Sequence, residues 1–478
     1  MASAPRAVNA PGRPNGLARV VGASLIGTTI EWYDYFLYGS AAALVFGKLF
    51  FPTSDPLTGT LLAFLTYAIG FAARPIGALV FGHFGDRLGR KKLLVVSLLM
   101  MGSATALIGC LPTYKSIGIA APVLLTTLRV IQGFALGGEW GGAVLLVSEH
   151  GDPERRGFWA SWPQGGAPLG NLLAVGALTL LAHVQSDAAT LAWGWRIPFL
   201  FSAVLVAVGL WIRLSVEESP LFQQALANDR TLRRPPAGGA PMADQADQGK
   251  EQPPMVAVLR HHWRDVLVAM GARMAENISY YVVTTFILAY CVEHLKVPKQ
   301  TALNAVLIGS AIQFCLIPLF GALSDRVGRK PVYLAGAVGA GIWIWPFFAL
   351  VDSRHFAMIT VAVTVALVFH SAMYAPQAAF FSEMFGTRMR YSGASIGAQF
   401  ASVAAGAPAP LIAVALLASY GNSSPISVYV GIAAVITVVA MLFAKETRDR
   451  DLADVPPSSG TAAVAGTGQE IAASGAGS

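Results

Sequence analysis

Apolar runs of about 20 residues or more recur along the whole chain, parted by short stretches rich in Lys, Arg, Gly and Pro. A hydrocarbon layer of about 30 Å takes roughly 20 helical residues at 1.5 Å each, so each run predicts one membrane-spanning helix. The runs fall at 18–48, 57–84, 92–112, 121–149, 156–184 and 194–216, then at 264–293, 300–322, 330–351, 355–383, 390–419 and 424–444. The predicted fold is an all-α membrane protein of twelve transmembrane helices, with six-helix bundles at 18–216 and 264–446. The break between them, 217–263, carries Arg230, Arg233, Arg234 and a Pro/Gly/Ala stretch and reads as a linker. Residues 1–17 lack an apolar core, and the first apolar run is too long and too charged to be a cleaved leader, so it is expected to remain as the first span. The Pro-, Ser-, Gly- and Ala-rich stretch 447–478 reads as a disordered tail.

Internal repetition makes the two bundles copies of one another. GHFGDRLGRKK at Gly82 to Lys92 returns as GALSDRVGRKP at Gly321 to Pro331, matching Asp86, Arg87, Gly89 and Arg90 to Asp325, Arg326, Gly328 and Arg329 at one constant separation. A second echo aligns SEHGDPERRGFWAS with SEMFGTRMRYSGAS, matching Glu149 to Glu383 and Arg156 to Arg390. Both repeats keep their direction, which relates the bundles by an axis along the membrane normal. Lys and Arg gather on one side if the N-terminus is cytoplasmic: Arg87, Arg90, Lys91, Lys92, Arg155, Arg156, Arg326, Arg329, Lys330, Arg388 and Arg390. The other side keeps little beyond Lys48, Lys115, Lys296, Lys299 and Arg354. The positive-inside rule therefore puts both termini and the linker in the cytoplasm.

Composition agrees with a bilayer, since 12% of residues are charged and 55% hydrophobic against roughly 25% charged in soluble proteins. The formal charge of +7 lies between apolar runs rather than on one basic domain, so membrane orientation accounts for it and nucleic acid does not. Cys110, Cys291 and Cys315 lack metal or disulfide spacing and read as packing thiols. No phosphate loop, metal cluster or hydrolase nucleophile elbow is present, which argues against an enzyme or an ATP-driven pump and for no cofactor.

Ionisable groups at membrane depth are costly and face a watery cavity or one another, so each is a candidate functional group. Glu31 and Asp34 share one face of the first helix. On the fourth, Glu139 lies ten residues from Glu149, about 15 Å deeper, with Arg129 beyond it. Glu276 repeats Glu31 in the second half, where Ser279 replaces the second acid, and Arg273 lies one turn away. Arg74 sits near mid-depth on the second helix. Tyr35, Gln164, Asn171, Tyr280, His370, Tyr374 and Gln377 add hydrogen-bonding groups. Four acids against three arginines leave one carboxyl in surplus, and a desolvated carboxyl holds its proton more tightly. The alternative is structural ion pairing, for instance Arg129 with Asp34. Aromatic packing competes with a binding wall for Trp32, Tyr33, Tyr35 and Tyr38, and glycines such as Gly133 and Gly137 permit either close helix contact or bending.

GHFGDRLGRKK resembles the loop signature between helices two and three of the major facilitator superfamily, and LTTLRVIQG its helix-four signature. EWYDY, RVIQGFALGGEWGG and VEESPLF resemble the metabolite:proton symporter family, with 82–92 and 129–142 nearest its shikimate branch. The resemblance implies alternating access around a central site on helices one, four, seven and ten, with a proton as coupling ion and a small organic acid as substrate. It makes Glu31, Asp34, Arg129, Glu139 and Glu276 the candidates for proton coupling. Tyr35, Arg74, Arg129, Gln164, Asn171, Arg273, Tyr280, His370, Tyr374 and Gln377 are candidates for substrate binding. Gly82, Asp86, Arg87, Gly89, Arg90, Glu149, Arg156, Asp325, Arg326 and Arg329 would form a cytoplasmic gate, with Glu149 and Arg156 as partners of the first copy and the Pro331-ended second copy as the weaker gate. The expected setting is a bacterial inner membrane and a monomer. A uniporter or exporter of a related metabolite or betaine, and a non-transporting receptor, are the alternatives.

Overall fold

The computed structural model describes residues 14–52, 55–88, 90–137, 153–215, 263–384, 400–406 and 408–448. Helix α1 (Pro14–Ala41) runs on through a π-helical turn, Ala42–Phe46. Helices α2 (Pro56–Ala72) and α3 (Arg74–Leu88) form one span interrupted at Ala73, followed by α4 (Arg90–Cys110) and α5 (Ala120–Leu136). Next come α6 (Arg156–Gln164), α7 (Gly166–Val184) and α8 (Arg196–Ser215). The second half holds α9 (Trp263–Tyr281), extended by π-helical turns at Val282–Phe286 and Tyr290–His294, then α10 (Lys299–Val327), α11 (Arg329–Asp352), α12 (Phe356–Met384), α13 (Ala409–Tyr420) and α14 (Ser424–Phe443). No strand occurs among the described residues.

Each predicted apolar run contains helix, but the runs differ in how plainly they read as spans. Among the described residues, seven helices are long and apolar enough to cross a membrane, or eight if a bent pair at Asp187–Gly194 and Arg196–Ile212 counts as one. Helices α1 and α9 fall outside that group because they carry Glu31, Asp34, Arg273 and Glu276, all buried. The outer faces stay apolar, with Leu180, Trp211, Ile342, Val435 and Phe443 exposed. Such a surface suits lipid, which removes the penalty that water would impose.

Two features bring the helices close. Helix α5 lies against α2 and α3 along a glycine seam, where a Cβ on Gly133 would overlap the Gly70 carbonyl and one on Gly137 the Arg74 carbonyl. The two glycines thus serve close packing. The first turn of α2 is capped by Asp55, which accepts from the backbone N–H of Leu57 and Thr58 at 3.3 and 3.0 Å. Between the halves, α7 meets α10 where Asn171 Nδ2 donates to Ser310 Oγ at 2.9 Å, and α6 meets α12 where Gln164 Nε2 donates to the Tyr374 carbonyl at 3.2 Å.

Gly133→Ala is expected to cost about 1–3 kcal/mol through overpacking, seen as a lower melting temperature of the detergent-solubilised protein. An unchanged melt would contradict the seam.

Candidate functional site

Two charged centres lie inside the bundle, one in each half. In the first, a small cavity is lined by Asp34, Tyr35, Arg74, Arg129, Gln132 and Gly133. Arg129 is buried, and its guanidinium carbon lies 4.8, 4.4 and 4.6 Å from the ring centres of Tyr35, Tyr38 and Tyr67. It donates to Gln132 Oε1 at 3.0 Å, and Gln132 in turn donates to Thr105 Oγ1 at 2.6 Å. Arg74, also buried, lies 3.9 Å over the Phe71 ring and 4.7 Å over that of Tyr35. Aromatic faces attract these cations and orient them without neutralising them.

Neither arginine has a carboxylate within 4.0 Å among the described residues. Arg74 Nη2 and Arg129 Nε are buried donors with no hydrogen bond. Asp34 instead accepts from Ser202 Oγ of α8 at 2.5 Å, so the Arg129–Asp34 ion pair suggested by sequence is not formed. The reason is positional: α2 contributes Tyr67 and α8 contributes Ser202, and periodicity along α1 and α5 reveals neither neighbour.

In the second half, charge is paired. Arg273 Nε lies 3.5 Å from Glu276 Oε2, and Glu276 Oε1 lies 3.3 Å from His370 Nε2. Asn277 and Gln377 also donate to Glu276 Oε2, at 3.1 and 3.3 Å, while Gln377 donates to the Tyr333 hydroxyl at 3.0 Å. His370 is held between the Tyr280 ring, 4.4 Å away, and that of Tyr374 at 5.2 Å. The two centres face each other across rings: Phe36 meets Tyr280 at 5.4 Å, and Tyr281 meets Tyr35 at 6.0 Å and Phe71 at 5.8 Å. The hydroxyls of Tyr35, Tyr67 and Tyr280 are buried here, with those of Tyr35 and Tyr67 beside one another. Tyr33 and Tyr38 are committed to packing bonds with Pro198 and Thr66.

At one end of the bundle, the second motif copy grips the first half. Asp325 accepts from the N–H groups of Gly157 and Phe158 at 2.7 and 2.8 Å, so a carboxylate from one half caps the first turn of α6 in the other. Arg329 joins Asp325 at 2.6 Å and Glu383 at 3.2 Å, and Arg156 reaches the same Glu383 oxygen at 3.2 Å. Glu383 therefore binds guanidinium groups from both halves. The close fit needs Gly157 and Gly321, since a Cβ on either would meet the backbone carbonyl of the other, across the halves, at 2.7 Å. Thr447 Oγ1 donates to Glu383 at 2.7 Å, so the described start of the terminal segment enters this cluster. Glu446 accepts from the N–H groups of Arg329 and Lys330 at 2.9 and 3.0 Å, and Arg448 donates to the Arg326 carbonyl at 2.6 Å. At the opposite end, Lys48 pairs with Glu293 at 3.0 Å and Lys299 with Asp187 at 3.9 Å, again joining the halves.

The family model for sugar (and other) transporters matches residues 20–458. The chain belongs to this family. It is a multi-pass membrane transporter of the major facilitator fold, and not an enzyme. It is 40% identical over 427 residues to the shikimate transporter of Escherichia coli (strain K12), covering 89% of this chain and 94% of that protein. The proline/betaine transporter of the same organism is 32% identical over 448 residues, covering 92% and 86%. A partially occluded inward-open structure of the E. coli xylose transporter XylE superposes with a TM-score of 0.67 at 20% identity, covering 91% of this chain and 99% of that one.

Within this transporter, the expected site residues fall into three groups. Asp34, Tyr35, Arg74 and Arg129 meet in the first centre, and Arg273, Glu276, Tyr280, His370, Tyr374 and Gln377 in the second. Glu31 is buried on α1, outside the residues lining the cavity. Gln164 and Asn171 make contacts between the halves. Gly89, Glu139 and Glu149 lie outside the described residues, as do the side chains of Asp86, Arg87 and Arg90, while Gly82 lies on α3. Arg156 pairs with Glu383, the repeat-mate of Glu149. Sequence reasoning passed over Gln132, Ser202, Gln313, Glu383 and Thr447 as functional groups. Gln313 was the most findable, as a polar residue inside an apolar run.

Glu383→Gln removes the charge that holds Arg156 and Arg329, and breaking a buried pair in this way costs about 3–5 kcal/mol. Labels on the two halves at this end are expected to separate in distance measurements, and unchanged distances would contradict the latch. Glu446 adds a pH signature. Burial works to raise its carboxyl, but the N–H groups of Arg329, Lys330, Thr447 and Arg448 outweigh it and hold it below the usual carboxylate range. Its stabilisation is complete above the unfolded value of about 4.3 and is lost as pH falls through the lower folded value. Glu446→Gln should lower the melting temperature at neutral pH and converge with the parent in acid; a constant difference across the range would contradict this.

Proposed function

We propose that this transporter imports a small organic acid together with a proton, by alternating access, across a bacterial inner membrane. In this reading the Asp325/Arg329/Glu383 end, both termini and the linker are cytoplasmic, and the protein acts as a monomer with no cofactor beyond the coupling proton. One observation carries the proposal: Arg74 and Arg129 line one cavity as buried cations with free donors and no described carboxylate partner. An unpaired buried charge costs several kcal/mol, and an anion that accepts from these groups offsets it. Guanidinium donors match a carboxylate in shape, and the buried hydroxyls of Tyr35, Tyr67 and Tyr280 suit a substrate that also carries hydroxyl groups. A hydroxy acid of the shikimate type fits both demands.

Asp34 supplies the proton site, because it shares the cavity and is not locked in an ion pair. From the outer side, a proton neutralises Asp34 and leaves the arginines as net positive charge. The anion then binds, the outer contacts Lys48–Glu293 and Lys299–Asp187 close, and the Glu383 latch releases. Loss of the proton inward restores the carboxylate, which competes with the anion for the arginines and promotes release. A betaine suits the site less well, since the tyrosine faces that would hold its ammonium are occupied by Arg74 and Arg129.

Uptake of shikimate, quinate, 2-oxoglutarate, citrate and betaine into proteoliposomes, with and without an imposed proton gradient, tests this reading. Gradient-driven accumulation of a carboxylate is expected. Arg74→Gln should weaken apparent affinity by about 10- to 100-fold, the worth of roughly 1.5–3 kcal/mol for a charged hydrogen bond. Asp34→Asn should abolish accumulation while retaining counterflow. Uptake indifferent to the gradient, or confined to betaine, would overturn the proposal.

A further inference from the structure

The transport cycle above leaves His370 and its neighbour Gln313 without a task. His370 (α12) lies between Glu276 (α9) and Gln313 (α10), with Glu276 Oε1 3.3 Å from Nε2 and Gln313 Nε2 2.7 Å from Nδ1. All three side chains are buried. An amide nitrogen only donates, so with the Gln313 amide assigned this way round Nδ1 accepts and the ring proton sits on Nε2, facing Glu276. Gln313 Oε1 is buried with no hydrogen bond. The other titratable groups around the ring are Tyr280 and Tyr374, which stack on it, Arg273 beyond Glu276, and Tyr333 beyond Gln377.

We propose that Gln313 is a positioning residue that reads the charge of His370, making the Glu276–His370 pair a second proton site and relaying its state to the interface between the halves. This rests on the proton-coupled reading above. A proton that adds to the Nδ1 lone pair turns an acceptor into a donor, against which the Gln313 amide NH2 cannot stay. A half-turn of the amide presents Oε1, the atom that now lacks a partner, and only the amide-to-Nδ1 hydrogen bond is exchanged. Arg273 and Glu276 cancel while the ring is neutral, so the added proton leaves the second centre with one positive charge. Gln313 lies one turn from Ser310 on α10, and Ser310 receives the Asn171 hydrogen bond from the first half. Rotation of the amide therefore acts on the helix through which the halves touch.

The test pairs two substitutions with opposite demands. Gln313→Glu requires a proton on Nδ1 and should move the midpoint of the pH profile of gradient-driven uptake up by about one unit, a tenfold change in proton affinity. Gln313→Leu removes the acceptor for a charged ring and should move it down by a similar amount. Shifts in the same direction, or none, would overturn the proposal, since a packing role predicts no opposition of sign. If either variant fails to fold, nitrogen-15 NMR of the parent protein, with the His370 signal assigned by His370→Gln, decides the matter. A neutral ring protonated on Nε2 above the midpoint supports the proposal, and one protonated on Nδ1 overturns it. Absence of any gradient-driven uptake by the parent would instead sink the proton-coupled reading itself.

Discussion

Removing a guanidinium from water and enclosing it in a bundle surrounded by lipid costs several kcal/mol unless nearby groups return that energy. The two halves answer this constraint differently. The second pairs Arg273 with Glu276 and surrounds the carboxylate with donors. The first leaves Arg74 and Arg129 against aromatic faces, which stabilise and orient the cations but leave donors over. That asymmetry gives a pseudo-symmetric scaffold one side built to receive charge and another already balanced.

Moving the halves past each other requires contacts strong enough to hold one state yet few enough to break. The Glu383 cluster meets this by concentrating the interaction: one buried carboxylate binds arginines from both halves, and Asp325 satisfies backbone N–H groups of a helix it does not belong to. Each bond is charge-assisted and largely shielded, so losing one partner strands the others. At the opposite end, Lys48 of the Lys48–Glu293 pair is 51% exposed, and ion pairs of that kind contribute little. The two ends thus differ in strength, and the end carrying the sequence repeat is the stronger latch.

The helices and the repeat were legible in the sequence because hydropathy over 20 residues and a constant motif separation need no knowledge of which elements touch. Partners were less legible. Arg129 and Asp34 looked like a pair by depth, yet Arg129 lies over the Tyr67 ring of α2 and Asp34 accepts from Ser202 of α8. The repeat alignment matched Glu149 to Glu383, but it could not say that Arg156 crosses to the other half to meet the latter. Gln164 and Asn171 had legible polarity and depth, but not the partners that α12 and α10 bring to them across the halves. Depth follows from counting residues, whereas azimuth around a bundle depends on packing against helices remote in the sequence.

The central claim is that the anion and a proton enter the site together. The most direct measurement is the pH of a weakly buffered suspension of the purified protein, or of right-side-out vesicles holding it, on addition of a shikimate-type hydroxy acid in the absence of any other driving force. The account predicts a rise in external pH that scales with the carboxylate bound or taken up and disappears in Asp34→Asn. Uptake of the same acid with no change in external pH would contradict it.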